Sequence, residues 1–165
     1  MMAVAALGVV VVFMLLELAI SRRHERILLA QGAVRPPDPV YRLMQIGYPG
    51  VFAAMALEGL ARTTPGNLAL AGVAVFAVAK VFKFWAIVTL GNRWTYTVLV
   101  LPGAPLVAAG PYRLMRHPNY AGVIGELAGM ALMMGAWITG PIGLVFFGAL
   151  LLIRIRAEER ALHLY

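Results

Sequence analysis

A chain of 165 residues with 62% hydrophobic and 13% charged residues and a mean hydropathy of +0.84 lies far from the roughly 25% charged content of a soluble domain. It reads as one integral membrane domain over residues 1–165. The absence of cysteine excludes disulfides, thiolate metal sites, a cysteine nucleophile and C-terminal prenylation. The net charge of +7 comes from arginines that flank apolar segments, where they set topology and meet anionic headgroups, and no soluble basic domain is present to bind nucleic acid.

Met2 to Leu16 carries no charge and, with Glu17 to Ile20, is long enough to cross a hydrocarbon core of about 30 Å. Its positive charges, Arg22, Arg23 and Arg26, follow the apolar run, so it reads as a retained first span with its N-terminus outside and not as a signal peptide. A polar segment then holds Arg35, Pro36, Pro37, Asp38, Pro39 and Arg42; its prolines interrupt any helix and make it a cytoplasmic connector. The second apolar run, Ile46 to Ala61, is short and contains Glu58, so it crosses by thinning the bilayer or by borrowing flanking residues. After the turn Thr63–Asn67, Leu68 to Leu90 forms a third span, in which Lys80 and Lys83 read mainly as anchors that snorkel to the interface beside Trp85.

From Gly91 to Ala109 the pattern changes. Arg93–Leu101 is rich in β-branched and aromatic residues, and Pro102–Pro105 supplies a turn, which predicts a short β-hairpin or extended loop pair at the surface. The fourth span runs from about Pro118 to Ile138 and the fifth from Pro141 to about Ile155, an antiparallel pair across the short joint Thr139–Gly140. The expected architecture is an all-α integral membrane protein of about five transmembrane helices, with three spans in residues 1–90 and a catalytic region in 91–165. Arginines cluster after the first, third and fifth spans, and only Arg62 falls on the other side, which places the N-terminus outside and the C-terminus in the cytoplasm.

The chemistry concentrates at two places on that cytoplasmic face. In Gly110–Gly122, GPYRLMRHPNYAG, Pro118 suits the first turn of the fourth helix, whose N-terminal dipole favours a carboxylate or other anion. Gly122, Gly125 and Gly129 make the helix small-surfaced, which suits a neighbouring helix or a flat ligand equally well. His117 is either a general base or a loop anchor, and a single histidine without a second ligand makes a poor metal site. In the last segment, RIRAEERALHLY, helical spacing pairs Arg154 with Glu158 and Glu159 with His163. Glu126, an ionisable residue inside a span, is a functional suspect with Lys80 as its partner.

Together, GPYRLMRHPNYAG, a glycine-bearing span, a short turn, a last span and RIRAEERAL resemble the isoprenylcysteine carboxyl methyltransferase and phospholipid methyltransferase superfamily of integral membrane enzymes, over Leu90–Tyr165. The resemblance implies S-adenosylmethionine as cofactor, bound near the cytoplasmic face by His117, Pro118, Tyr120, Gly122 and the glutamates Glu158 and Glu159, with Tyr112 as further cover for the ring. It places Arg154 or Arg156 near the reacting group; apart from the resemblance, His117 is a further catalytic candidate, and Glu126, Trp94 and Arg116 are candidates for the acceptor side. The family commonly runs on past these glutamates, whereas this chain stops at Tyr165, which reads as a naturally short or trimmed end.

A sulfonium donor needs a carboxylate for its ammonium, donors for its own carboxylate and aromatic cover for the adenine, and no GxGxxG is present for a Rossmann-type site. The acceptor is expected to be lipophilic and to enter from the bilayer: a prenylated cysteine, a long-chain phenol or pyrone, or, as the alternative, a phospholipid amine. Carboxyl or phenolic O-methylation is favoured. A nicotinamide-dependent membrane reductase and a non-enzymatic scaffold are the readings of other classes, and the scaffold gives no reason for the RHPNY and EE motifs to share one face.

Overall fold

The computed structural model describes residues 2–164, with side chains described for residues 3–162. Its five α-helices are α1 (Met2–Ala30), α2 (Tyr41–Leu60), α3 (Gly66–Leu90), α4 (Pro118–Met134) and α5 (Thr139–Leu164), with short 3-10 turns at Gly91–Arg93 and Gly110–Arg113. Contacts at the two ends fix alternating directions. At one end Arg154 of α5 meets Asp38, and His24 of α1 hydrogen-bonds the Trp94 carbonyl at 2.8 Å. At the other end the Glu58 carboxylate of α2 accepts the Ile138 and Thr139 N–H groups at 3.1 and 2.8 Å, which caps α5 where its first turn has no internal partners.

The helices α1, α3 and α5 are long and apolar enough to cross a membrane. The other two are not. At 17 residues α4 extends only about 26 Å, and α2 contains Pro49 and carries Glu58 near its end. The expected five spans are thus five helices of which three meet that requirement. Their outward faces expose Val4, Val12, Leu16, Val78, Val81, Val88, Val145 and Leu152, as surfaces in contact with lipid require.

The most extensive helix contact joins α3 and α4, which lie antiparallel. A Cβ on Gly129 would come within 2.5 Å of the Phe76 nitrogen, one on Gly122 within 2.7 Å of the Lys83 Cβ, and one on Gly72 would collide with the Met133 backbone. Backbones this close need glycine on both helices. Of the two uses the sequence allowed for this glycine face, helix packing is the one realised. Its apolar surroundings, Phe52, Met55, Leu127, Met130 and Met134, are buried and fill the core between α2, α3 and α4.

Two expectations are corrected. The lysines Lys80 and Lys83 do not reach an interface: they are 7% and 2% exposed, enclosed because the glycine contact brings α4 against their stems and because Glu17 and Glu126 supply counter-charges. No hairpin forms, and the described residues contain no strand. Val100 instead makes one antiparallel bridge to Val34 in the connector, with N–H to O distances of 2.8 and 3.0 Å. The prolines at 102 and 105 each remove one ladder donor from residues 94–109, and the Val100 groups are taken by Val34.

Candidate active site

The start of α4 and the end of α5 meet, and the groups they bring together form one hydrogen-bonded cluster. His117, at the N-cap of α4, places Nδ1 3.5 Å from the Glu158 carboxylate and Nε2 3.3 Å from Glu159. The Tyr120 hydroxyl donates to Glu158 and accepts from Arg154 Nε at 2.9 Å. Its ring stacks on His117, with centroids 5.6 Å apart and planes 16° from parallel. The Tyr120 and Ala121 N–H groups bond to the His117 carbonyl, which holds the turn into the helix.

The hub is Arg154, 5% exposed. Its planar fork is used in several directions at once: Nε toward Tyr120 and, at 3.5 Å, Glu158; Nη2 to the Tyr96 carbonyl; Nη1 to Asp38 at 3.4 Å. Arginine is suited to this because its donors lie in one rigid plane. Tyr41 lies beneath the guanidinium, its ring centroid 5.9 Å from Cζ. Outside the helical bundle, the hydrogen bond that the His117 ring donates to Glu158 raises the His117 pKa above its ordinary value against the opposing effect of burial. Burial first, and then the nearby Glu158 carboxylate, pushes the Tyr112 hydroxyl up to about 12.

Below this cluster a cavity of about 250 Å³ runs inward between α1, α2, α4 and α5. Arg154, Tyr120, Asn119 and Tyr41 form its polar end, Met14, Leu18, Phe147 and Leu151 its apolar walls, and Lys83, Tyr48 and Tyr96 its inner end. Among its lining residues Leu15, Gln45 and Pro49 are exposed on α1 and α2, so the cavity opens sideways between those two helices. Pro49 has no N–H, which leaves the Gln45 carbonyl without its helical partner at that opening.

The sequence-level candidates therefore separate. His117, Tyr120, Glu158, Glu159 and Arg154 come together, Pro118 starts α4 beside them, and Tyr112 lies close to Glu158. Arg156, two residues beyond Arg154 and so about 200° round the helix, is exposed and is not part of this cluster. Gly122 faces Lys83 of α3. Arg116 is 84% exposed and, among the described residues, pairs with Glu159 at 3.6 Å. Trp94 is buried behind the cavity wall and donates to Asn119 at 3.1 Å. Glu126 lies one layer deeper, where the Tyr48 hydroxyl donates to it. The pairing of Glu159 with His163 falls on a side chain outside the described residues.

Sequence reasoning missed the contribution of the N-terminal half: Asp38, Tyr41 and Met44 at the arginine, and Tyr48 and Glu17 further in. One signal was available. Glu17 is an ionisable residue at the end of an apolar run, the same signature that singled out Glu126.

A family model described as the isoprenylcysteine carboxyl methyltransferase family matches residues 71–164. Among curated proteins, the chain is 35% identical over 150 residues to an uncharacterised Bacillus subtilis (strain 168) protein, YpbQ, covering 90% of this chain and 89% of that one. It is 31% identical over 152 residues to an uncharacterised Haemophilus influenzae protein, covering 90% and 88%. No solved structure matches the chain. With more than half of its length matched by that model, and with the two motifs brought into contact, the chain belongs to the isoprenylcysteine carboxyl methyltransferase family.

Proposed function

We propose that the protein is an S-adenosylmethionine-dependent methyltransferase that acts on the polar head of a lipophilic acceptor, with carboxyl or phenolic O-methylation favoured over amine methylation. The observation that carries this reading is the joining of RHPNY and EE around Arg154 at the polar end of an apolar cavity that opens sideways between α1 and α2.

The residues present fit the donor. Glu158 and Glu159 would offer carboxylates to an ammonium, and the stacked His117 and Tyr120 rings would offer a flat face to an adenine. When bound, the donor supplies an electrophilic methyl group. The chain's own part is alignment and exclusion of water: Arg154, held by Tyr120, Asp38 and the Tyr96 carbonyl, turns positive charge toward a cavity that Lys83 also lines, so a developing oxyanion there would meet a positive field. The apolar walls take the acceptor's hydrocarbon part, which supports a lipid-borne molecule over a soluble one.

Arg22, Arg23, Arg26, Arg35, Arg42, Arg93, Arg113, Arg116 and Arg160 lie at the end that carries the site, against Arg62 at the other. The positive-inside rule therefore favours a site facing the cytoplasm, with the N-terminus outside.

Calorimetry in detergent with S-adenosylmethionine, its demethylated product and NADPH tests the reading. Both adenosyl compounds are expected to bind. Binding of NADPH alone would turn the assignment to a reductase, and binding of neither adenosyl compound would remove the methyltransferase.

A further inference from the structure

The inner end of the cavity is backed by a group of charges that the proposed site leaves unused. Glu17 of α1 receives Lys80 at 2.9 Å and Lys83 at 2.7 Å. Glu126 of α4 receives Lys80 at 2.9 Å and Lys83 at 3.4 Å. Two hydroxyls complete it: Tyr96, from the loop before α4, donates to Glu17 at 3.0 Å, and Tyr48 of α2 donates to Glu126. These six, from α1, α2, α3, α4 and the loop, are the titratable groups that face one another here among the described residues; on α5 Arg154 shares only the cavity. Both glutamates are 1% exposed. An apolar packing of the same volume would often hold the helices at least as firmly as a buried ion pair, so stability alone gives little reason for four charges at this depth.

Placement supplies the reason. Lys83 and Tyr48 lie on the cavity wall, while Glu126 lies behind Tyr48. Tyr48 is held by ring contacts to Phe52 and Phe147, at 5.0 and 5.1 Å between centroids, with the Lys83 ammonium 5.6 Å from its ring centre. Tyr48 thus lines the cavity while its hydroxyl proton points at a carboxylate. The cluster is neutral as it stands, two glutamates against two lysines. A proton added to Glu126 would leave one lysine charge uncompensated, beside the cavity.

We propose that this cluster takes up the proton that a hydroxyl acceptor gives up, with Tyr48 as the relay, so that the acceptor oxygen stands as an anion next to Lys83 before it is methylated. The proposal rests on the methyltransferase reading and deepens it. The acceptor O–H bond breaks and its proton passes to the Tyr48 oxygen as the Tyr48 proton moves to the Glu126 carboxylate. The freed oxygen pair forms the bond to the methyl carbon, and the carbon–sulfur pair returns to sulfur. The sulfonium charge is lost and Glu126 is neutralised, so charge and atoms balance. A phenol with a pKa of about 10 has only about one molecule in a thousand ionised at pH 7, which is the factor such a relay recovers. Positioned acid–base groups commonly supply effects of about 10²–10⁴.

The test is an absorbance titration of a long-chain alkyl nitrophenol, whose anion is coloured, with the full chain in detergent and no methyl donor. Probe binding is followed separately by quenching of tryptophan fluorescence. Bound probe is expected to ionise at least about one pH unit lower than in detergent alone, a tenfold shift in the ratio of anion to phenol. Tyr48→Phe, which keeps the ring contacts, should still bind the probe and lose the shift. No shift in the unaltered protein, or a shift retained in Tyr48→Phe, would overturn the relay. Methyl transfer from labelled S-adenosylmethionine to an alkylphenol is measured in parallel. A Tyr48-dependent shift with neither transfer nor binding of an adenosyl compound would support proton uptake by the cluster and overturn the methyltransferase reading, so the two failures are distinguishable.

Discussion

Arg154 and Glu158 carry different loads although they touch. Glu158→Gln removes a charge from a site argued to hold a cation, and S-adenosylmethionine should bind at least about tenfold more weakly, or ~1.4 kcal/mol, by calorimetry. Arg154→Lys keeps the charge but lacks a fork that reaches Tyr120, Asp38 and the Tyr96 carbonyl together, so methyl transfer should fall more than donor affinity does. Arg156→Ala, on the exposed side, should change both by less than about twofold. His117 adds a pH dependence. Its folded pKa is raised by Glu158, so the stability from its charged form is fully present below about 6.5 and lost as pH rises through the folded value. The unfolding midpoint in detergent should fall across that window, and His117→Asn should flatten the profile. The motif residues were legible as candidates because RHPNY and EE are polar runs set directly against apolar segments. Which of Arg154 and Arg156 faces inward was not, because a solvated helix end has no apolar stripe to give its phase.

At the level of elements, the antiparallel α3–α4 contact is the strictest constraint in the fold. Gly72→Ala sets a methyl group into the Met133 backbone and Gly129→Ala one against Phe76, so each should destabilise by about 1–3 kcal/mol, seen as a lower unfolding temperature in detergent. Gly148→Ala in α5 meets nothing within 4 Å and should be neutral or raise that temperature, since glycine inside a helix costs about 0.5–1 kcal/mol relative to alanine. The glycines were visible in the sequence, and their partner was not, since nothing local tells which helix approaches them. The same gap explains the lysines. Side chains that read as snorkelling on an isolated α3 become buried once a second helix lies against them and two distant glutamates, Glu17 and Glu126, offer charge.

For the whole molecule, the absence of cysteine is an experimental asset. Single replacements Thr63→Cys and Arg160→Cys sit at exposed positions at opposite ends. In intact cells a membrane-impermeant maleimide should label Thr63→Cys and spare Arg160→Cys; the reverse pattern would place the site outside. The number of helices and the segregation of arginines could be read from hydropathy and charge. The division of the cavity between the N-terminal half and the motif-bearing half could not, because Asp38, Tyr41 and Tyr48 reach the site only through long-range packing.

The unequal grip of the helices on one another bears on how the molecule moves. With α3 and α4 locked backbone to backbone, passage of a bulky guest falls to α2, whose Gly47-Tyr48-Pro49-Gly50 run lacks one main-chain bond and resists bending least. A swing about that point would carry Tyr48 with it. Loading a guest and engaging the hydroxyl that hands off its proton would then be a single displacement, and a half-closed molecule would hold its guest without acting on it.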